Sequence, residues 1–242
     1  MRKNFLLALF AALLCAFLTV ALPVEAAKDT RREKIDHVEL VLVIDKSGSM
    51  SGLESDTIGG FNSMIEKEKK LDATVNVTAV LFNDSTDLLY DRRDIRRIRP
   101  MTEEQYETGG TTALLDAVGS TILKMDKVED INSRGTKVIF VIITDGLENA
   151  SEEFTTPKVK KLISDRQEKR GWDFIYLGAN IDAAEEAEAI GVDKKQAVTY
   201  RNTPEGVRAN YDAISEYTKE AVDGSTGEDG SWKDYVEKDE TN

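Results

Sequence analysis

The chain contains little cysteine, histidine or proline, and these shortages exclude several kinds of site. Its 242 residues include one cysteine, one histidine and four prolines. A zinc site built from Cys and His at close spacing is therefore excluded. With a single cysteine, no disulfide framework is available, and the fold must depend on its hydrophobic core. The only histidine, His37, begins a predicted strand about 26 Å from that strand's other end.

Positive charge is also in the minority. The chain has 32 Lys and Arg residues against 45 Asp and Glu residues, which gives a formal net charge of −13 at pH 7. Nucleic acids and anionic membranes bind to basic patches on proteins. The composition therefore argues against nucleic acid and against a membrane surface as partners. It does not indicate an oligomeric state.

The amino-terminal segment has a composition of its own. Arg2 and Lys3 precede an almost unbroken apolar stretch at 5–22, and the residues up to Ala26 resemble a small-residue cleavage site. This pattern predicts a signal peptide at 1–26 and an exported protein, either periplasmic or extracellular. The apolar stretch also reaches the lower limit for spanning a bilayer, so a retained N-terminal membrane anchor is the alternative.

The rest of the chain divides into three parts. A charged linker is predicted at 27–37, one domain at 38–222, and a polar, acidic tail at 223–242. We expect this tail to be mobile, although Trp232 and Tyr235 could dock on the domain.

Strand-like and helix-like segments alternate through the domain, which is typical of a mostly parallel sheet with helices on both faces. A turn-rich link joins the second and third strands as a hairpin, so the third should be an antiparallel edge strand. The predicted fold class is α/β, doubly wound and Rossmann-like. The predicted strands are 38–45, 74–82, 88–91, 137–144, 172–177 and 197–200; the predicted helices are 53–69, 113–125, 158–169, 182–190 and one that begins at Pro204.

Three segments far apart in the sequence supply oxygen atoms near the ends of predicted strands or in a loop. The first strand ends at Asp45, and the hydroxyls of Ser47 and Ser49 follow in the order D-x-S-x-S. The strand-like TKVIFVIIT is followed by Asp145, and the glycine-rich GGTTAL contains Thr112. Because ligands collect at the carboxyl ends of parallel strands, we expect these side chains to converge.

Two carboxylates and three hydroxyls make an all-oxygen donor set. Such a set suits Mg²⁺, Mn²⁺ or Ca²⁺ rather than zinc, which favours nitrogen and sulfur. Mg²⁺ retains several water ligands, so a coordination position would remain open. Taken singly, each residue also has a structural explanation, since Asp45 can cap a helix and serines are common in turns. Their combination favours a metal site.

The motifs DKSGS, GGTTAL and TDG resemble the metal-ion-dependent adhesion site (MIDAS) of von Willebrand factor type A (VWA) domains. The resemblance extends from about residue 38 to residue 200, as in an exported bacterial member of that family. It implies that Ser47, Ser49 and Thr112 are direct metal ligands. It also implies that Asp45 and Asp145 bind the ion directly or through water, and that an acidic side chain of a partner protein completes the coordination.

The choice between Thr111 and Thr112 depends on the same resemblance. The family places its ligand threonine two residues before an apolar position and four residues before an Asp-Ala pair. Here those positions are Leu114 and Asp116, which favours Thr112 and leaves Thr111 as the alternative.

Other oxygen-rich or catalytic sites fit less well. An EF-hand loop that began at Asp45 would have Met50 where a sharp turn requires glycine. A metal-assisted hydrolase of the phosphoesterase type could use the same five residues. Beyond those residues the sequence offers no evident general base. We therefore expect a protein-binding domain and no enzyme, with the hydrolase as the alternative.

Overall fold

The computed structural model describes residues 35–224 and 230–236. The predicted signal peptide and most of the predicted linker lie outside the described residues. Within the described ranges, no helix is long and apolar enough to cross a membrane.

The described residues form a six-stranded sheet with the strand order β3-β2-β1-β4-β5-β6. All neighbouring pairs are parallel except β2 and β3, which are antiparallel. β1 and β4 lie side by side at the centre of the sheet, so their carboxyl ends reach the same edge. The strands are β1 (His37–Asp45), β2 (Thr74–Phe82), β3 (Thr86–Asp94), β4 (Thr136–Thr144), β5 (Asp173–Ala179) and β6 (Ala197–Tyr200).

Helices cover both faces of this sheet, as the alternating pattern predicts. They are α1 (Glu54–Glu68), α2 (Leu114–Met125), α3 (Thr156–Arg170), α4 (Ala183–Ile190) and α5 (Pro204–Val222). Leu40 and Leu42 of β1 pack into the core beneath α1 and α5, whereas Val41 and Val43 pack into the core beneath α2, α3 and α4. Because a central parallel strand is buried on both faces, it reads as a continuous apolar run.

The antiparallel edge strand β3 is longer than predicted. It covers Thr86–Asp94 and not only 88–91. Most of its residues are exposed or half-buried, and its second half, DRRD, contains no apolar residue. Polar residues of this kind are common on edge strands, where they discourage pairing with other chains, but they give no strand signal in a sequence.

The carboxyl-terminal segment contains Trp232, one of the two aromatic residues that the sequence offers for docking on the domain. Residues Ser231–Lys233 form a 3₁₀ helix, and Trp232 is fully buried. Its indole packs edge-on against Tyr217, with 5.6 Å between ring centroids. The large apolar surface of this side chain thus packs the segment against α5. The remaining tail residues, 225–229 and 237–242, lie outside the described residues.

Candidate metal site

Asp45 lies at the carboxyl end of β1 and is completely buried. The hydroxyl of Thr144 donates a hydrogen bond to its Oδ2 (2.6 Å), and the backbone N–H of Ser47 donates to its Oδ1 (2.6 Å). The phenol of Tyr106 donates to the main-chain carbonyl of Asp45 (2.6 Å). Two of these contacts therefore orient the carboxylate, and the third holds the main chain of the same residue.

A chain of short hydrogen bonds joins Asp145 to the two serines. Ser47 Oγ lies 3.0 Å from Ser49 Oγ, and Ser49 Oγ donates to Asp145 Oδ1 (2.5 Å). Asn202, which follows β6, donates from its side-chain amide to Asp145 Oδ2 (2.9 Å). The segments around residues 47 and 145 thus meet at one edge of the sheet, as their positions after β1 and β4 predict.

Thr112 is buried and faces the same point, whereas Thr111 is exposed. A methyl group added to Gly146 would lie 3.3 Å from Thr112 Oγ1 and 3.5 Å from Ser49 Oγ. The two hydroxyls therefore flank Gly146, and a side chain there would be tight against Thr112 and in ordinary contact with Ser49. Asn149 holds Thr112 in place, because its Oδ1 accepts from the Thr112 N–H (2.9 Å) and its own N–H donates to the Thr112 carbonyl (3.1 Å).

Two glycines connect the threonine loop to the D-x-S-x-S loop. The N–H of Gly109 donates to the Lys46 carbonyl (2.9 Å), and the carbonyl of Gly110 accepts from the Gly48 N–H (3.1 Å). Gly110 has a φ of +77°, and a side chain there would overlap with Asp84. A residue with no Cβ is therefore needed for this close approach.

The pKa values of both carboxylates in the site are raised above their usual values. Burial raises the pKa of Asp45, and hydrogen bonds from Thr144 and Ser47 oppose this change only in part. The nearby charge of Asp145 raises the pKa of Asp45 further. Burial also raises the pKa of Asp145, against hydrogen bonds from Ser49 and Asn202. A divalent cation would relieve the repulsion and favour both charged forms.

The five side chains predicted from the sequence, which we call the candidate metal site, are Asp45, Ser47, Ser49, Thr112 and Asp145. Four of them are linked by hydrogen bonds that run through the Ser47 backbone and the two serine hydroxyls, and Thr112 lies beside Ser49 across Gly146. Their oxygens form the donor set that a hard cation prefers, so the residues present fit such an ion.

The sequence prediction missed the residues that support these five. Thr144 is the last residue of β4 and directly precedes Asp145. Its place at the end of a strand, beside a predicted ligand, is the one sequence signal that could have indicated its role. Asn149, Asn202 and Tyr106 reach the site from loops, and their contacts depend on tertiary structure alone. His37, in contrast, lies at the other end of β1 and contacts Glu39 (2.7 Å), so it takes no part in the site.

Comparison with known proteins gives similarity in structure but not in sequence. No protein-family model and no curated protein matches the chain. Proximal thread matrix protein 1 from the mussel byssus (crystal form 2) is 14% identical, with a TM-score of 0.53 over 78% of this chain and 47% of that one. The D319A mutant of the PilB minor pilin from Streptococcus sanguinis is 12% identical, with a TM-score of 0.57 over 77% of this chain and 62% of that one.

The fold is VWA-like. The predicted α/β class, with a mostly parallel sheet, one antiparallel edge strand and helices on both faces, is confirmed by the observed topology and by these neighbours. At such low identities the likeness concerns the fold alone. The chain spans less than two thirds of the length of either neighbour.

Proposed function

We propose that this chain is an exported, metal-dependent protein-binding domain. The observation that carries the proposal is the meeting of two buried carboxylates and three hydroxyls at one edge of the sheet. In this proposal the candidate metal site holds Mg²⁺, or the similar Mn²⁺ or Ca²⁺, and an acidic side chain of a partner protein completes the coordination. Export rests on the signal-like composition of residues 1–26.

The protein residues would have distinct tasks. Ser47, Ser49 and Thr112 would offer uncharged oxygens, while Asp45 and Asp145 would supply the negative charge. When bound, the ion would supply a positive charge with an open position for a carboxylate. Asp45 and Asp145 together neutralise the charge of a divalent cation. The site with its ion would therefore attract a partner's carboxylate less strongly than the bare ion would. Hydroxyl ligands preserve more of that attraction than further acidic residues would.

The surface beside the site also suits a protein partner. Ser49 is exposed although its neighbours in the site are buried. Leu147, which follows Gly146, has 53% of its surface exposed. A single exposed leucine is common on proteins, but next to a site for a carboxylate it would provide apolar contact around the charged centre. No residue is assigned a catalytic role in this proposal.

Metal binding is tested first by calorimetric titration of Mg²⁺, Mn²⁺ and Ca²⁺ into the wild type, Asp45→Ala and Thr111→Ala. We expect Asp45→Ala to lose binding, because a charged ligand is removed. Thr111→Ala serves as the matched control, because Thr111 lies in the same loop but is exposed, and it should bind as the wild type does. Equal binding by the wild type and Asp45→Ala would remove the site from consideration.

Partner binding is tested next, by affinity capture of exported proteins with and without a chelator. A partner should be retained with metal, released by chelator and absent with Asp45→Ala. Leu147→Ser should weaken partner capture and leave metal affinity unchanged. A protein that binds metal and melts at a higher temperature with it, yet captures no partner in a metal-dependent way, would contradict the proposal. Metal-dependent turnover of phosphoesters lost with Asp45→Ala would favour the hydrolase instead.

A further inference from the structure

A separate cavity of about 280 Å³ lies between α1, α5 and the carboxyl-terminal segment at 230–236. It is at the far end of α1 from the candidate metal site, since Glu54 begins this helix five residues after Ser49 and Glu68 ends it. A helix of this length is about 21 Å from end to end. The cavity is therefore independent of the proposed function.

Glu68 lines this cavity and has only 2% of its surface exposed. Neither of its carboxylate oxygens makes a hydrogen bond to the described residues. Burial raises its pKa well above the usual value, and the Ser215 hydroxyl and the charge of Lys67 act against this rise. The Ser215 hydroxyl nevertheless donates to the main-chain carbonyl of Tyr211 (3.1 Å), so it leaves Glu68 without a donor. Buried carboxylates in proteins normally have partners, so an unpartnered one that lines a cavity points to a ligand.

The other charged groups around the cavity already pair with one another. Lys67 donates to Asp212 (2.6 Å), and Lys219 donates to Glu216 (3.0 Å). These two ion pairs cancel in charge, so ionised Glu68 leaves the cavity with one negative charge in excess. That negative charge would repel an anionic ligand. A cationic ligand would neutralise it.

The cavity walls favour an organic cation over a metal ion. Leu71 and Tyr235 contribute an aliphatic and an aromatic surface. A metal ion would need several oxygen ligands. Within residues 35–224 and 230–236, no three side chains of Asp, Glu, His or Cys are grouped so that they could hold a metal ion. A short alkyl chain would lie against Leu71, and the ring of Tyr235 can attract a cation through its face.

We propose that this cavity binds a primary ammonium or guanidinium group attached to a short aliphatic chain, with Glu68 as the acceptor of its hydrogen bonds. Ligand binding would require the charged form of Glu68, so it should be accompanied by release of a proton. The ionisable and polar residues that line the cavity together with Glu68 are Lys67 from α1, Tyr235 from the carboxyl-terminal segment, and Asp212, Ser215, Glu216 and Lys219 from α5.

The probe is agmatine, which carries both a primary ammonium and a guanidinium group, titrated by calorimetry into the full chain at pH 7. We expect saturable binding that is weakened about tenfold or more in Glu68→Gln, since hydrogen bonds to a charged group are lost. Glu216→Gln is the charge-matched control, because it removes one negative charge from the same cavity lining and leaves the Glu68 carboxylate in place. It should weaken binding less than Glu68→Gln does, and equal weakening by both would show that net charge alone attracts the probe. Asp45→Ala should bind the probe as the wild type does.

Titrations in two buffers with different ionisation enthalpies measure the released proton in the wild type, without relying on any variant. Buffer-dependent heat is expected, and the affinity should rise with pH. Absence of saturable binding, equal binding by Glu68→Gln, or heat independent of the buffer would each overturn the proposal. The affinity for a peptide with a single arginine is then compared with the affinity for agmatine. Tighter binding of the peptide would indicate a protein side chain as the ligand, and tighter binding of agmatine would indicate a free amine.

Discussion

The hydroxyl of Thr144 and the carboxylate of Asp45 are joined by a hydrogen bond of 2.6 Å that crosses from β4 to β1. Both residues are completely buried. The bond occupies Oδ2 of Asp45 while the Ser47 N–H occupies Oδ1. Sheet pairing and the orientation of a candidate metal ligand are thereby coupled, because a shift of β4 against β1 would turn the carboxylate.

Thr144→Val tests this coupling, because valine has the shape of threonine without the donor. We expect metal affinity to fall about 10- to 100-fold, as is usual when a group that orients a metal ligand is removed. Thr144→Ser keeps the hydroxyl and should retain most of the affinity. Calorimetric titration measures both, and circular dichroism checks that each variant is folded. Unchanged affinity in Thr144→Val would show that Asp45 is oriented without this bond.

The choice between the two adjacent threonines can be tested with a matched pair of substitutions. Thr112 is buried beside Ser49 and Gly146, whereas Thr111 is exposed. We expect Thr112→Val to weaken metal binding about tenfold or more, and Thr111→Val to leave it unchanged. The reverse result in the same titration would assign the ligand to Thr111.

Much of the fold and of the site was accessible from the sequence for a simple physical reason. Parallel strands buried on both faces contain long apolar runs, here 40–44 in β1 and 138–143 in β4. The polar residues that end these runs, Asp45 after the first and Thr144 with Asp145 after the second, mark the ends of the strands. Carboxyl ends of neighbouring parallel strands must share one edge. The loop with Thr112 is marked by Gly109 and Gly110, whose backbones approach the first loop.

The supporting contacts could not be predicted in the same way. Asn202 reaches Asp145 across 57 positions of sequence, and Tyr106 reaches Asp45 across 61. No local pattern encodes such pairs, because tertiary packing alone decides them. Burial of Glu68 was hidden for a similar reason, since it lies in a polar stretch whose composition predicts exposure.

The opposite end of the sheet contains a buried ion pair whose removal should destabilise the fold. Glu39 is 1% exposed and accepts two hydrogen bonds from Arg92, at 2.6 and 3.1 Å. Arg92→Met would leave this carboxylate without its cation. Because the arginine is itself about one third exposed, we expect a loss of about 2–3 kcal/mol in unfolding free energy, below the full effect for a buried pair. Arg93, the next residue, is exposed and provides a control. Arg93→Met should change the free energy of unfolding by less than about 0.5 kcal/mol.

The same pair predicts a dependence of stability on pH. Burial alone would raise the pKa of Glu39, but hydrogen bonds from Arg92, Asn76 and His37, with the charge of Arg92, lower it below 4.5. A lowered pKa in the folded state gives stability that is present above pH 4.5 and is lost as the pH falls through the folded pKa. In urea unfolding, the difference between wild type and Arg92→Met should therefore shrink as the pH falls from the higher Glu39 pKa of the folded variant to the lowered pKa of the folded wild type. A constant difference from pH 7 to pH 3 would be inconsistent with an ionised Glu39.

Two adjacent glycines in α1 provide a test of how closely this helix packs against α5. A Cβ on Gly60 would lie 2.4 Å from Cδ2 of Tyr211, a ring that is 1% exposed, whereas a Cβ on Gly59 would meet no atom within 4 Å. Alanine favours a helix over glycine by about 0.8–1 kcal/mol at either position. We expect Gly59→Ala to stabilise the protein by roughly that amount.

Gly60→Ala should instead destabilise the protein by about 1–3 kcal/mol, because the buried ring of Tyr211 must move and overpacking outweighs helix propensity. Tyr211 also packs edge-on against Phe61, with 6.4 Å between ring centroids, so its movement would disturb a second contact. Urea unfolding of both variants measures the difference. Since the two changes are chemically identical and adjacent in one helix, equal stabilisation by both would mean that α1 and α5 lie further apart than described here.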